Sequence, residues 1–294
     1  MGLFSTISYI LKHPLNHKAK ASAIWRFVAW QINVRINPYP IIYSFTERSN
    51  LIIARGMTGA TGNLYCGLHE LDDMGFLLHF LREEDLFVDI GANIGSYTVL
   101  AAAHVGADVI AIEPVPDTFK KLKANISVNS IHKKVNPLNI ALGAVKGEVR
   151  FTTDLDTVNH VATQQDRNTQ LVPIDLLDEL LIDSDKKPSL IKVDVEGFEL
   201  EVVKGGLKTL DNKQVKALIM ELNGSGKRYG ISESEIVDIL ESKGFKSYSY
   251  DCKLRVLSEV SNVGYLNTIF IKDFEFVNQR IQSANSFTVL ESSM

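Results

Sequence analysis

From Leu86 onward, short runs of consecutive apolar residues alternate with stretches in which apolar positions recur every three or four residues. The runs at 86–90, 108–112, 135–142, 190–195, 217–222, 245–250 and 267–272 read as strands, and the helical pattern falls between them at 97–104, 117–129, 198–210 and 233–243. Strand and helix in regular succession predict an α/β fold: a doubly wound, mostly parallel seven-stranded sheet with helices on both faces. No clear helix joins the last two strands, which predicts an antiparallel pair at the sheet edge. Ahead of this alternation, the segment past Pro38 and Pro40 reads as short strands with glycine turns at 56–62, followed by a helix over 70–81. The division expected is an extension or lid over 1–69 and a catalytic domain over 70–294. The only long irregular stretch, 152–169, is of the length at which a loop in a compact domain is usually functional.

The first strand of the alternation leads into FVDIGANIGSYTVLAA (87–102), a strand, a glycine turn and a small-residue helix. A dinucleotide fingerprint counted from Gly91 needs glycines where Asn93 and Ser96 stand, and a phosphate loop needs a lysine that is absent here. Asp89 ends the strand with a carboxylate, which repels a pyrophosphate and attracts a cation. S-adenosylmethionine, with an ammonium and a sulfonium in place of a diphosphate, meets that demand. Gly91 and Gly95 allow close backbone approach, Asn93 tolerates an unusual turn conformation, and Ser96 opens the helix. Glu113 ends the second strand 22 positions after Gly91, near the spacing at which an acidic residue reaches ribose hydroxyls in both NAD and S-adenosylmethionine sites. NIALG (139–143) closes the third strand, placing Asn139 and Ala141 at the level of an adenine in the crevice outside the strand ends.

The fourth strand carries LIKVDVEGFE, in which Lys192, Asp194, Glu196 and Glu199 crowd a strand end with charge. A buried strand accepts this only if the charges pair, bind something polar or do chemistry. For a general base, His160, in the long loop, is the first candidate, with Asp194, Glu196 and His69 as alternatives. Asp194 and Glu221 could hold a divalent cation, but two carboxylates without a third ligand make a thin site, and no metal is expected.

Composition narrows the picture. The 294 residues, 45% hydrophobic, bury a full core, and no uncharged apolar run is long enough to span a membrane. Neither a signal peptide nor a cysteine framework is seen, and Cys66 and Cys252 fit a reduced, cytoplasmic compartment. The formal charge of −4 conceals an asymmetry, because residues 1–46 hold Lys12, Lys18, Lys20, Arg26 and Arg35 with no acidic residue, together with Trp25 and Trp30. Ile24, Phe27, Val28 and Ile32 have spacings that a helix gathers onto one broad face, with Arg26 and Arg35 off it. Such a helix caps a core, clamps a partner or lies on an anionic membrane. The opening MGLFST also fits the myristoylation pattern through Gly2 and Thr6.

Taken together, FVDIGANIGSYT, IAIEPVPDTFKKLKANISVN, NIALG, LIKVDVEGFELEVVKGG and ALIMELN resemble the FkbM-type S-adenosylmethionine-dependent methyltransferases over residues 70–225. The resemblance implies a Rossmann-like class I methyltransferase fold and O-methylation of hydroxyls on sugars, glycolipids or related natural products. It implies a small-molecule or glycan acceptor and no nucleic acid. It assigns Asp89, Gly91, Asn93, Gly95 and Glu113 to the cofactor and Asp194 and Glu196 to the floor of the active site. Glu70, in GLHELDDM, would face cofactor or substrate. Two rivals share the layer architecture. A nicotinamide-dependent oxidoreductase or epimerase lacks its third glycine and its Tyr-x-x-x-Lys pair here, and a non-catalytic module would be expected to lose the turn or the charged fourth strand.

Overall fold

The computed structural model describes residues 2–155, 158–261 and 266–294. The chain begins with helices α1 (Leu3–Lys12) and α2 (Lys20–Ile36), a hairpin of β1 (Ile41–Thr46) and β2 (Ser49–Ile53), and helices α3 (Thr58–Cys66) and α4 (Leu71–Phe80). Then come β3 (Leu86–Ile90), α5 (Ser96–Val99), β4 (Asp108–Ile112), α6 (Pro116–Val128) and β5 (Val135–Leu138). A side sheet of β6 (Ala141–Leu142), β7 (Gly147–Thr152) and β8 (Thr169–Asp175) precedes α7 (Leu177–Leu180) and β9 (Leu190–Val193). The remainder is α8 (Glu199–Lys204), α9 (Leu207–Asp211), β10 (Ala217–Leu222), α10 (Glu233–Ser242), β11 (Lys246–Asp251), β12 (Val256–Glu259), β13 (Leu266–Ile271) and α11 (Phe274–Gln282).

The main sheet runs β12-β11-β13-β10-β9-β3-β4-β5, eight strands rather than seven, because Val256–Glu259 folds back antiparallel on β11. Strands β10, β9, β3, β4 and β5 are parallel. The expected antiparallel pair forms between β11 and β13, with β13 inserted between β10 and β11, and β12 added outside them at the edge. Every residue of β3 is buried, as a central strand covered on both faces requires. Helices α4, α5, α6 and α11 cover one face, and α7 to α10 cover the other.

Three expected elements break, each for a local reason. Strand 135–142 ends at Leu138, after which the Asn139 side chain bonds the second strand's end and Ala141–Leu142 joins the side sheet. Helix 198–210 divides at Gly205, where a Cβ would lie 2.0 Å from the Gly143 carbonyl oxygen. The glycine turns at 56–62 are largely a helix, Thr58–Cys66, whose Gly62 is needed because a Cβ would lie 2.7 Å from the His69 ring.

The extension is continuous with the fold. Ala23, Phe27 and Trp30 of α2 pack with Ile10, Ile53 and Tyr65 on Ile94, which sits in the turn after β3. Arg26 ties the helix down by donating to Asn16 Oδ1 at 2.7 Å and to the Tyr65 carbonyl at 2.9 Å. The broad apolar face expected from Ile24, Phe27, Val28 and Ile32 is not one face: Phe27 is buried, while Val28 and Ile32 point outward. Cys66 and Cys252 are free and buried. No helix among the described residues is long and apolar enough to cross a membrane.

Candidate functional site

The chain leaves β3 toward β4 and β5 on one side and returns as β9 and β10 on the other. In an open parallel sheet such a reversal leaves a crevice outside the strand ends. Here it opens into a cavity of about 870 Å³, within the range of small-molecule sites.

At the β3/β4 end the backbone is fitted to something held close. Gly91 has φ 81°. A Cβ on it would lie 1.8 Å from the Asp194 carbonyl oxygen, so the turn needs glycine on two counts. Asn93 is left-handed, with φ 51°, and its N–H donates to Glu113 Oε2 at 2.9 Å. The Val115 N–H donates to Glu113 Oε1 at 2.9 Å. Burial pushes the Glu113 carboxyl up to about 7 against these two donors. Each of its oxygens keeps one lone pair for a further donor. Asp89 is 1% exposed; its Oδ2 accepts from Thr98 Oγ1 at 2.6 Å, and its Oδ1 has no partner. Burial raises its carboxyl, and the Lys192 ammonium opposes that. Asp89, Gly91, Asn93, Ser96 and Glu113 all line the cavity.

Three residues expected at the cofactor lie outside the cavity lining. Gly95, φ 91°, lies outside the lining and gives room to α6, since a Cβ would fall 2.5 Å from Leu122 Cδ1. Asn139 donates to the Glu113 and Pro114 carbonyls at 2.8 and 2.9 Å, and Ala141, within the side sheet, is buried in a cluster with Val115, Phe151 and Ile174, so neither lines the cavity. Val115 and Thr118 line it in their place.

The β9/β10 end is built from charge. Lys192, 3% exposed, donates to Asp194 Oδ2 at 2.6 Å and lies 4.7 Å from the centre of the Tyr97 ring. Burial acts to lower its pKa, but Asp194, Glu70 and Asp89 outweigh that and hold it charged. Glu196 is left-handed, φ 55°, and its carbonyl accepts from Arg228 at 3.1 Å. Burial, then Asp194 and Glu199, push its carboxyl up to about 7. Glu221, from β10, is raised by burial first and then by Asp194 and Glu196. Single oxygens of Asp194, Glu196 and Glu221 lie within 4.8 Å of one another. Glu196 thus joins Asp194 and Glu221, the two carboxylates weighed from the sequence, in a trio of oxygens whose spacing could hold a cation. Glu199 plays a different part. It is buried and clamps the turn by accepting from the Val195 and Gly197 N–H groups at 3.2 and 3.0 Å.

Glu70, at the start of α4, reaches the cavity as expected, held by Tyr97 Oη at 2.8 Å and Asn267 Nδ2 at 2.9 Å. His160 does not. Its Nδ1 donates to the Val158 carbonyl at 2.9 Å, and its Nε2 lies 3.5 Å from Asp166 Oδ2. Its loop neighbours Val158 and Asn159 line the cavity, while the ring is buried behind them and anchors the loop. Asp156 and Thr157 of the same loop lie outside the described residues. The segment expected as an extension or lid supplies part of the cavity wall through residues the sequence did not assign to it: Tyr9, Phe27 and Gln31 face the cavity, and Tyr9 Oη sits 2.7 Å from His69 Nδ1. Nothing local in α1 or α2 signals this role; it follows from packing on α3 and Ile94.

The model of the methyltransferase FkbM domain matches residues 89–247. A hexuronic acid methyltransferase, AglP of Haloferax volcanii, is 30% identical over 172 residues, covering 58% of this chain and 67% of that protein. Methyltransferase 1 of Beauveria bassiana is 25% identical over 190 residues, covering 55% and 73%. A solved FkbM methyltransferase from Methylobacillus flagellatus is similar at 18% identity and a TM-score of 0.46, over 72% of this chain and 52% of that one, so this chain spans about half the length of the solved chain.

Proposed function

Because the chain belongs to the FkbM methyltransferase family, we propose that it transfers a methyl group from S-adenosylmethionine to a hydroxyl oxygen of a sugar or sugar-bearing lipid. The observation that carries the reading is the Asp89 carboxylate, whose Oδ1 is buried in the cavity wall without a partner. A buried anionic oxygen is costly until a cation or donor meets it, and an amino acid ammonium does so. Glu113, with one free lone pair on each oxygen, suits the paired hydroxyls of a ribose. A diphosphate would meet two carboxylates at this end, which argues against a nicotinamide cofactor.

When bound, S-adenosylmethionine supplies a methyl carbon activated by its sulfonium. The chain's own residues do the rest. Gly91 keeps the turn close against the Asp194 carbonyl, so that the two halves of the cavity have a fixed separation. Glu196 accepts the acceptor hydroxyl's proton, because its carboxyl is poised near neutrality, where a base combines availability with driving force. Lys192, buried against Asp194, donates to that carboxylate and holds it in place beside Glu196. Incubation with methyl-labelled S-adenosylmethionine and a panel of neutral and uronic saccharides tests the reading. An alkali-stable methyl ether is expected. An alkali-labile ester would move the acceptor to a sugar carboxylate, a group that the archaeal relative's name admits.

The carboxylate trio also supports a second reading, in which Asp194, Glu196 and Glu221 hold a divalent cation that acidifies the hydroxyl directly. Exhaustive chelation separates the two: turnover unchanged by EDTA keeps the proton-accepting carboxylate, and turnover lost and restored by magnesium or manganese replaces it.

A further inference from the structure

Helix α2 carries apolar side chains on both of its sides, and only one side is covered. Toward the core it presents Ala23, Phe27 and Trp30, all buried. Away from it, Trp25, Val28, Ile32 and Ile36 are 66, 38, 52 and 77% exposed, at spacings that align them along a single stripe. This is not the scatter of single apolar residues normal on a protein surface. Eight of the seventeen exposed large apolar side chains among the described residues lie within the first 46 positions, so the exposure is concentrated in the extension.

Charge decides what covers the stripe. Residues 1–46 carry five cations and no acid, which leaves 26 of the 31 basic side chains against all 35 acidic ones in the rest of the chain, a difference of −9 beside +5. Lys12, Lys18, Lys20 and Arg35 are exposed and make no ion pair among the described residues. Arg35 flanks the stripe, bonded only to Gln31 of its own helix. A second copy meeting this face by two-fold symmetry would set cations against cations with no acid from the segment to pair them. An anionic lipid surface satisfies both halves of the pattern, taking apolar side chains into its interfacial layer and cations at its headgroups.

We propose that the outward face of α2 docks on an anionic lipid bilayer. The opposite side of the same helix places Phe27 and Gln31 in the cavity wall, so docking sets one wall of the site on the membrane. The inference goes beyond the methyl-transfer reading and is tested by binding, without a turnover assay.

Full-length protein is mixed at low salt with phosphatidylcholine vesicles, with and without phosphatidylglycerol. Sedimentation is measured together with tryptophan emission. Co-sedimentation is expected with the anionic vesicles only, reversed by salt, with a blue shift of emission that is lost in Trp25→Phe because Trp30 is already buried. Ile32→Ser should weaken binding roughly tenfold. Arg35→Gln should weaken it about fivefold, the equivalent of ~1 kcal/mol per cation near such a surface, and it carries the test should Ile32→Ser fail to fold. Absence of binding at low salt overturns the proposal, as does binding that neither variant weakens. A dimer in sedimentation velocity that Ile32→Ser dissociates overturns it in favour of a second copy.

Discussion

At the β3/β4 end of the cavity the carboxylates are supplied with donors, whereas at the β9/β10 end they are set against one another. Glu113 takes two backbone N–H groups and Asp89 takes the Thr98 hydroxyl, and each keeps acceptor capacity facing the cavity. Asp194 has Lys192, but Glu196 and Glu221 meet chiefly other acids, which helps raise their pKa values. The first arrangement presents carboxylate acceptors whose positions are fixed by the hydrogen bonds they already accept. The second holds protons that can be exchanged near neutral pH. On the proposed reading, binding and proton transfer are separated along one cavity, and substitutions at its two ends should separate in the same way.

The largest effect expected is at the proton-exchanging end. Glu196→Gln should lower kcat about 10²- to 10⁴-fold, the usual contribution of a positioned base, with the affinity for S-adenosylhomocysteine, read by calorimetry, changed less than about twofold. Weakened cofactor binding in this variant would break the division. Gly91→Ala should damage both ends at once, since the new Cβ would strike the Asp194 carbonyl and the residue would have to keep φ 81°. A loss of about 3 kcal/mol in urea unfolding is expected, combining the left-handed penalty with overpacking. Asp89→Ala belongs to the binding end alone. It should cost ~1.5–3 kcal/mol of S-adenosylhomocysteine affinity by calorimetry, as a charge-assisted contact does.

The division also has a pH signature. A carboxyl acts as base only when deprotonated, so with Glu196 raised to about 7, kcat should climb as pH rises through about 7 and fall away below it. Because the carboxylates interact, that limb belongs to the cluster rather than to one residue. A kcat flat between pH 6 and 9 would place the base elsewhere. The smallest effect is expected of His160→Ala, which loosens a loop without touching the proton path. KM should rise and stability fall by about 1 kcal/mol, while kcat stays within about twofold.

The two ends also differ in how far the sequence reveals them. Asp89, Gly91 and Glu113 are fixed by local geometry, since a strand end, a left-handed turn and the next strand end all lie within a few positions of an unbroken apolar run. The same reasoning places the bounds of Leu86–Ile90, Asp108–Ile112 and Ala217–Leu222, because central parallel strands are buried on both faces. Val256–Glu259 escapes it: an exposed edge strand has no burial pattern to betray it. The trio is hidden for a different reason. Glu221 becomes a neighbour of Asp194 and Glu196 only through the pairing of β10 with β9, and Tyr9 and Phe27 enter the wall only through the packing of the extension. His160 misled because being in the right loop says nothing about which way a ring points; its ring turns back to Val158 and Asp166 while its neighbours face the cavity.

Calorimetric titration of the wild-type protein with S-adenosylhomocysteine and, separately, with NAD tests the account at its centre. Asp89 and Glu113 set two carboxylates at the turn where a diphosphate would have to sit, so saturable binding of the first ligand and none of the second is expected. Binding of NAD with no affinity for S-adenosylhomocysteine would contradict the assignment of that end of the cavity, and the proposed methyl transfer with it.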